Sequence, residues 1–145
     1  MLFSAKAEYA CIAMLELAAR HGDPQPIRLQ TMHAEHGIPK RFLVQIMLQL
    51  KGAGLVVSVR GATGGYRLAR EPQEINLAQI IGVIDRLEPT STTRQDDRLQ
   101  QTPTVQTIRS VWREIQSLQQ RILTQTTLAE LVRRVQDDQS FAYQI

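Results

Sequence analysis

Two stretches of this 145-residue chain carry side chains whose types and spacing suit chemistry on a polyanion. The first is Pro39-Lys40-Arg41, with Gln45 one helical turn further on. Lysine and arginine match guanine O6 and N7 or phosphate oxygens, and glutamine matches the edge of adenine. The second is Arg60-Gly61-Ala62-Thr63-Gly64-Gly65-Tyr66-Arg67. Its glycines permit positive φ and a close approach of backbone to a partner. An arginine beside such a turn suits the strongly negative potential of a narrow minor groove. Ser4, Lys6, Arg28, Arg67 and Arg70 are further candidates for phosphate oxygens, which orient a protein on a duplex without specifying sequence. The competing readings are a solvated basic helix start and a glycine turn of purely local purpose. The helix dipole disfavours lysine at a helix amino terminus, so Lys40 there leans towards a polyanion contact.

Other chemistry is poorly provided for. Serine, histidine and aspartate all occur, but no nucleophile-bearing motif, phosphate-binding loop or dinucleotide fingerprint does, so no enzyme is expected. His33 and His36, three residues apart, could meet one metal, yet no third or fourth ligand is evident, and a solvated pair is expected. Cys11 is the single cysteine. It excludes an internal disulfide and every cysteine-rich metal scaffold, and it sits on an apolar helix face as a small hydrophobe. No metal and no cofactor are expected.

The elements that must position these residues follow from periodicity. Ser4 caps a predicted helix over about Ala5 to Arg20, stopped by Gly22. Asp23 to Pro26 form a turn, followed by a short extended stretch at Ile27-Arg28. Leu29 to His36 reads as a short helix ended by Gly37. Pro39 opens a third helix as a first-turn residue, with Phe42, Leu43, Ile46, Met47 and Leu50 forming its apolar stripe. Leu55 to Arg60 and Tyr66 to Arg70 read as the strands of a hairpin tipped by Gly61 to Gly65. Asn76 caps a helix from Leu77 to about Leu87. Glu88 to Thr102 reads as a mobile polar loop. From Thr102-Pro103 runs a long helix with Ile108, Val111, Ile115, Leu118 and Ile122 at steps of three and four, widened by Trp112 and Leu123. A last helix spans about Leu128 to Val135, before a tail.

Composition sets the frame. Apolar residues make up 43% and charged residues 21%, which excludes wholesale disorder. No apolar stretch approaches the ~20 residues of a membrane span, so no membrane partner is expected. The opening residues lack the apolar core and cleavage site of a secretory signal. With one cysteine, a reducing, cytoplasmic setting is the expectation. The net charge of +3 is uneven: residues 1–70 hold nine bases and four acids, whereas the rest carries −2. The basic half is where a polyanion would bind.

Helix, helix, helix and basic hairpin make a winged helix-turn-helix plan: mainly α with a small β-wing, plus a long carboxy-terminal dimerisation helix. The expected organisation is a winged helix-turn-helix domain over 1–87, a flexible loop over 88–102, and the dimerisation and carboxy-terminal helices over 103–145. In this plan the start of the third helix meets base edges in the major groove. The apolar face of Ile108, Val111, Trp112, Ile115, Leu118 and Ile122 either pairs two chains about a two-fold axis or packs on its own domain, and the first is favoured.

Ser4-Ala5-Lys6-Ala7-Glu8-Tyr9-Ala10, Gly52-Ala53-Gly54-Leu55-Val56, Val59-Arg60-Gly61-Ala62-Thr63-Gly64-Gly65-Tyr66-Arg67-Leu68-Ala69 and Thr127-Leu128-Ala129-Glu130-Leu131-Val132 resemble the Rrf2 family of bacterial transcription regulators, which includes IscR, NsrR and CymR. The resemblance runs from residue 1 to about 135, and the Arg-Gly-x-x-Gly-Gly-Tyr wing is its most specific motif. It implies a winged-helix domain, a dimerisation helix and binding to palindromic double-stranded DNA, with Arg60 in the minor groove. Two departures matter. IscR-like members hold an iron–sulfur cluster on three cysteines in the loop after the wing domain; this chain has none there, which places it beside the cluster-free members. IscR also has a glutamate in the third helix where this chain has Val44, so its operator does not transfer. Glu8, where some members place a cluster ligand, is then an ordinary acid. Without a cluster, a signal would enter through a partner protein or a small effector, the latter at the junction of wing domain and long helix. The rival reading is a protein-interaction module whose winged helix binds DNA weakly or not at all and whose dimer docks on a partner enzyme.

Overall fold

The computed structural model describes residues 3–85 and 98–143. Its order is α1 (Ala5–Ala19), α2 (Leu29–His36), α3 (Lys40–Gly52), β1 (Val56–Val59), β2 (Gly65–Leu68), a 3-10 turn (Pro72–Glu74), α4 (Leu77–Asp85), α5 (Pro103–Gln125) and α6 (Leu128–Tyr143). This is the expected mainly helical chain with a small wing. Helix and strand starts agree with the sequence reading to within a residue or two, the usual uncertainty of element ends.

Local chemistry explains the ends. Ser4 accepts the Ala7 N–H at 3.0 Å and caps α1. Gly37, at φ +72°, is in the left-handed conformation that terminates α2, and its N–H donates to the His33 carbonyl. Pro39 sits one position before α3 rather than inside its first turn; its carbonyl accepts the N–H groups of Phe42 and Leu43. Asn76 and Gln79 exchange reciprocal side-chain to backbone bonds of 2.9 Å, a capping box that starts α4. The expected end of that helix at Leu87, and residues 88–97 of the expected loop, lie outside the described residues. One expectation is corrected: the last helix does not stop near Val135 but runs to Tyr143. Its apolar periodicity ends at Val135, yet residues 136–140 contain no glycine or proline to break the hydrogen-bond ladder, so the helix continues with exposed polar side chains.

Leu43, Ile46, Met47 and Leu50 present the i, i+3, i+4, i+7 stripe of α3 to the core. They meet Ala7, Ala10, Ala13, Met14 and Leu17 of α1 and Ile80, Ile81 and Ile84 of α4. Leu123 and Leu128 belong to the same core, so the carboxy-terminal helices are anchored on the wing domain. The joint is made of backbone: Leu77 N–H donates to the Thr126 carbonyl at 3.0 Å, and Leu128 N–H donates to Ile75 at 2.9 Å. Thr126 is buried there with its hydroxyl on the Ile122 carbonyl.

The wing is antiparallel, with Val56 opposite Leu68 and Val59 opposite Gly65. Ile27 adds a third rung: its N–H donates to the Tyr66 carbonyl at 3.0 Å and its carbonyl accepts the Tyr66 N–H at 2.8 Å. That pairing explains Gly65, and the tightness of the hairpin turn explains Gly64. A Cβ on Gly65 would lie 2.4 Å from the Ile27 oxygen, and one on Gly64 would lie 2.2 Å from the Val59 oxygen. Alanine at 65 is therefore expected to cost about 1–3 kcal/mol through forced displacement of packed backbone. Gly52→Ala, with open space around it, is the control and should be neutral or mildly stabilising. Denaturant midpoints with unchanged slopes check both.

Cys11 packs half-buried against the core, as its place on the apolar face of α1 requires. Burial, with the Asp85 and Glu8 carboxylates adding to it, pushes its thiol up to about 11. The unfolded chain releases this proton at lower pH, so the contribution of Cys11 to stability is intact below about pH 9 and is lost as pH rises towards 11. Alkylation at pH 8 should run roughly 100-fold slower on the folded chain than on the same chain in denaturant, since the thiolate is the nucleophile. Equal rates would contradict the burial.

Candidate nucleic-acid interface

The face of α3 opposite the core carries Lys40, Arg41, Val44, Gln45 and Leu48, all exposed. Arg41 lies 5.0 Å above the Phe42 ring, and that half-buried ring meets Tyr9 of α1 at 5.6 Å. The guanidinium is thus steered by an aromatic face rather than neutralised by a carboxylate. Lys40 makes no ion pair with any described residue. The turn before α3 is held from within: Ile38 is buried, and His33 donates from Nδ1 to the Ile38 carbonyl at 2.7 Å. A carbonyl only accepts, so the proton sits on Nδ1.

The wing tip residues Arg60, Gly61, Ala62 and Thr63 are exposed, whereas Gly64 is buried and Gly65 and Tyr66 are half-buried. Gly61 adopts φ +115°, a conformation open to glycine alone among common residues. Thr63 lines one hollow with Arg28 and Thr31, which puts the wing tip beside the start of α2. Arg67 points away from the tip and donates to the Pro24 carbonyl. The Ser4 hydroxyl donates to Asp85, tying the start of α1 to the end of α4. Lys6, two residues on, is half-buried. The geometry therefore gathers Arg28, Thr63 and the wing tip around the α2 terminus, and commits Ser4 and Arg67 to internal bonds.

Two of the four acids of this half, Glu16 and Glu35, are held in ion pairs along the α1–α2 contact. Arg20 binds Glu16 at 2.9 Å and Glu35 at 2.7 Å, and His36 lies 3.0 Å from Glu16. The hydrogen bond from Arg20 holds the Glu35 carboxyl below its ordinary value. His33 and His36 thus face different partners and do not act as a pair. Sequence reasoning passed over Thr31 and Leu48 and took Val44 only as a departure from the family pattern. The phase of Val44 and Leu48 with Lys40 and Arg41, opposite the core stripe, was the signal that marks both.

On α5, Ile108, Val111, Trp112, Ile115, Leu118 and Ile122 form an apolar face between 42% and 63% exposed, far from the burial of Leu123 on the same helix. Among the described residues nothing covers it.

A thiolate-ligated iron–sulfur cluster does not fit the donors present. One cysteine cannot supply the ligands, and the raised Cys11 thiol resists becoming a thiolate. Glu16, Glu35 and His36 bring donor atoms within 4.8 Å of one another, but both carboxylates are already bound by Arg20. No described helix is long and apolar enough to cross a membrane.

Comparison with known proteins adds identity to this geometry. The model of the Rrf2 family, described as an iron-dependent transcriptional regulator, matches residues 3–134. IscR of Vibrio atlanticus (strain LGP32), an HTH-type transcriptional regulator, is 34% identical over 134 residues, 92% of this chain and 76% of that protein. The structure of CymR, the global cysteine regulator of B. subtilis, superposes with a TM-score of 0.79 at 31% identity, covering 91% of this chain and 96% of the other. T. potens IscR gives 0.76 at 33% identity over 94% and 89%. With three helices, a glycine-tipped wing and a match across nearly its whole described length, this chain belongs to the Rrf2 family of helix-turn-helix transcriptional regulators.

Proposed function

We propose that the chain works as a homodimer on a palindromic DNA operator, without an iron–sulfur cluster. In this reading the start of α3 enters the major groove, where Lys40, Arg41 and Gln45 meet base edges and phosphates and Pro39 sets the entry angle. Arg60, presented by Gly61 and Thr63, enters the adjacent minor groove. Lys6 and Arg28 meet flanking phosphates. Arg67 and Ser4 act one step back, by holding the wing and the start of α1 in place. The observation that carries the reading is the partition of charge. Lys40, Arg41, Arg28 and Arg60 have no carboxylate partner among the described residues, while Arg20 alone takes up two. Four exposed cations around two groove-sized projections are costly in mutual repulsion and suit a phosphate lattice, whose neutralisation releases counterions.

The α5 face supports pairing, since six exposed apolar side chains on one helix exceed what a monomer scatters singly over its surface. The single cysteine supports a cluster-free state, so the signal enters through a small effector or a partner protein.

An electrophoretic shift on random-sequence duplex at low salt should show binding that weakens steeply as salt rises. On a duplex selected from a random pool, Arg60→Ala should cost on the order of 1–3 kcal/mol of affinity. Unchanged affinity removes Arg60 from the interface, and no binding to any duplex removes the DNA reading altogether. Sedimentation should give twice the 16.4 kDa of one chain, and Ile115→Glu with Leu118→Glu should halve it. A monomeric wild type refutes the pairing.

A further inference from the structure

We infer that Val44 reads the 5-methyl group of a thymine, and so selects thymine over cytosine at one fixed position in each half of the operator. The inference rests on the proposed DNA reading and deepens it. Val44 is 48% exposed, whereas Leu43, Ile46, Met47 and Leu50 of the same helix are fully buried, so its isopropyl group is not part of the core. Valine also loses rotamer freedom in a helix, so a surface site with no other demand is better filled by alanine or a straight-chain residue.

Its neighbours fix what it faces. Val44 lies one turn after Lys40 and Arg41 and directly before Gln45, on the face turned away from the core. Those cations and that amide match the acceptors and donors of a major groove, and their charge brings the helix to DNA rather than to an apolar partner. Within that groove the one apolar feature on a base edge is the thymine methyl. A branched side chain attached directly at Cβ reaches only a short way, so its partner must be a group that projects outward from the base, as the methyl does. Cytosine at the same place offers no methyl, and Val44 would strip water from its 4-amino group while offering no acceptor. Selectivity therefore comes from a gain with thymine and a loss with cytosine. Leu48, 62% exposed one turn further on, lies further from the helix end that leads into the groove.

The test uses the full chain and a duplex enriched from a random pool. Each thymine of the half-site is replaced in turn, symmetrically, by deoxyuridine, which removes only the methyl. One position should weaken wild-type binding roughly threefold to tenfold, the factor for one buried methyl. Val44→Ala should bind the thymine and uracil forms of that position within twofold of each other, and should keep the wild-type response at every other thymine. Val44 is exposed on a regular helix, so the variant keeps its fold, which a melting curve confirms. The inference is overturned if no uracil substitution weakens the wild type, or if the sensitive position costs Val44→Ala the same factor. Failure to enrich any duplex overturns the DNA reading and this inference together; an enriched duplex indifferent to uracil overturns this inference alone.

Discussion

The exchange of two main-chain hydrogen bonds between Ile27 and Tyr66 sets the geometry on which the rest of the interface depends. Ile27 directly precedes Arg28 and the start of α2, and Tyr66 is the first residue after the wing glycines. A hairpin alone is marginally stable and free to swing. Bonded to Ile27, it is fixed in angle against the helix-turn-helix. The contact is too close for a side chain at position 65, so glycine there serves the wing's placement and not only its turn. Tyr66 then packs on the core as a half-buried ring.

A second consequence concerns charge. Fixing the wing tip beside Arg28 puts cations from three separated parts of the sequence on exposed elements with little counter-charge nearby. Of the four acids of the first 70 residues, only Asp23 lines the hollow that Arg28 shares with Thr63, and it makes no ion pair with Arg28. Glu16 and Glu35 are held by Arg20 and His36 along the α1–α2 contact, and an oxygen of Asp23 accepts the Gln25 N–H at the turn. Net charge alone, +5 over this half, is compatible with ordinary surface solubility. The bonding pattern distinguishes two arginines held internally, Arg20 and Arg67, from Arg28, Arg41 and Arg60, which have no carboxylate partner among the described residues, and this distinction becomes visible only with coordinates.

Much was legible in the sequence because it is local. Ser4, Gly37, Pro39 and Asn76 act within four residues of themselves, and the α3 stripe repeats at helical spacing; the corresponding elements are found where they were expected. What escaped depends on residues far apart. The glycines of the wing read as freedom to approach a partner, whereas Gly64 and Gly65 are required by the chain's own backbone, Gly65 by an oxygen 38 positions earlier in sequence. The Ser4 bond to Asp85 spans 81 positions, an internal link that local reasoning does not reach. His33 and His36 read as a solvated pair, whereas His33 bonds the Ile38 carbonyl of the turn after α2 and His36 lies 3.0 Å from Glu16 of α1. The extension of α6 was missed for a different reason: a helix that is polar all round shows no periodicity.

The carboxy-terminal helices complete this logic. Backbone bonds from Leu77 and Leu128 fasten the α5–α6 corner to the turn before α4, and Leu123 and Leu128 seal it with buried side chains. A joint made of backbone bonds and core contacts resists bending more than a single linker would. Under the proposed pairing through α5, the separation between two α3 helices is then set by the dimer rather than by the DNA. Half-site spacing becomes a property of the protein, matched to one helical turn or a multiple of it. A ligand or partner that loosened the α5–α6 corner would alter that spacing without touching any DNA-facing residue. Under the cluster-free reading proposed above, the joint is where a signal would act, and Thr126 there is the one buried polar side chain among the described residues.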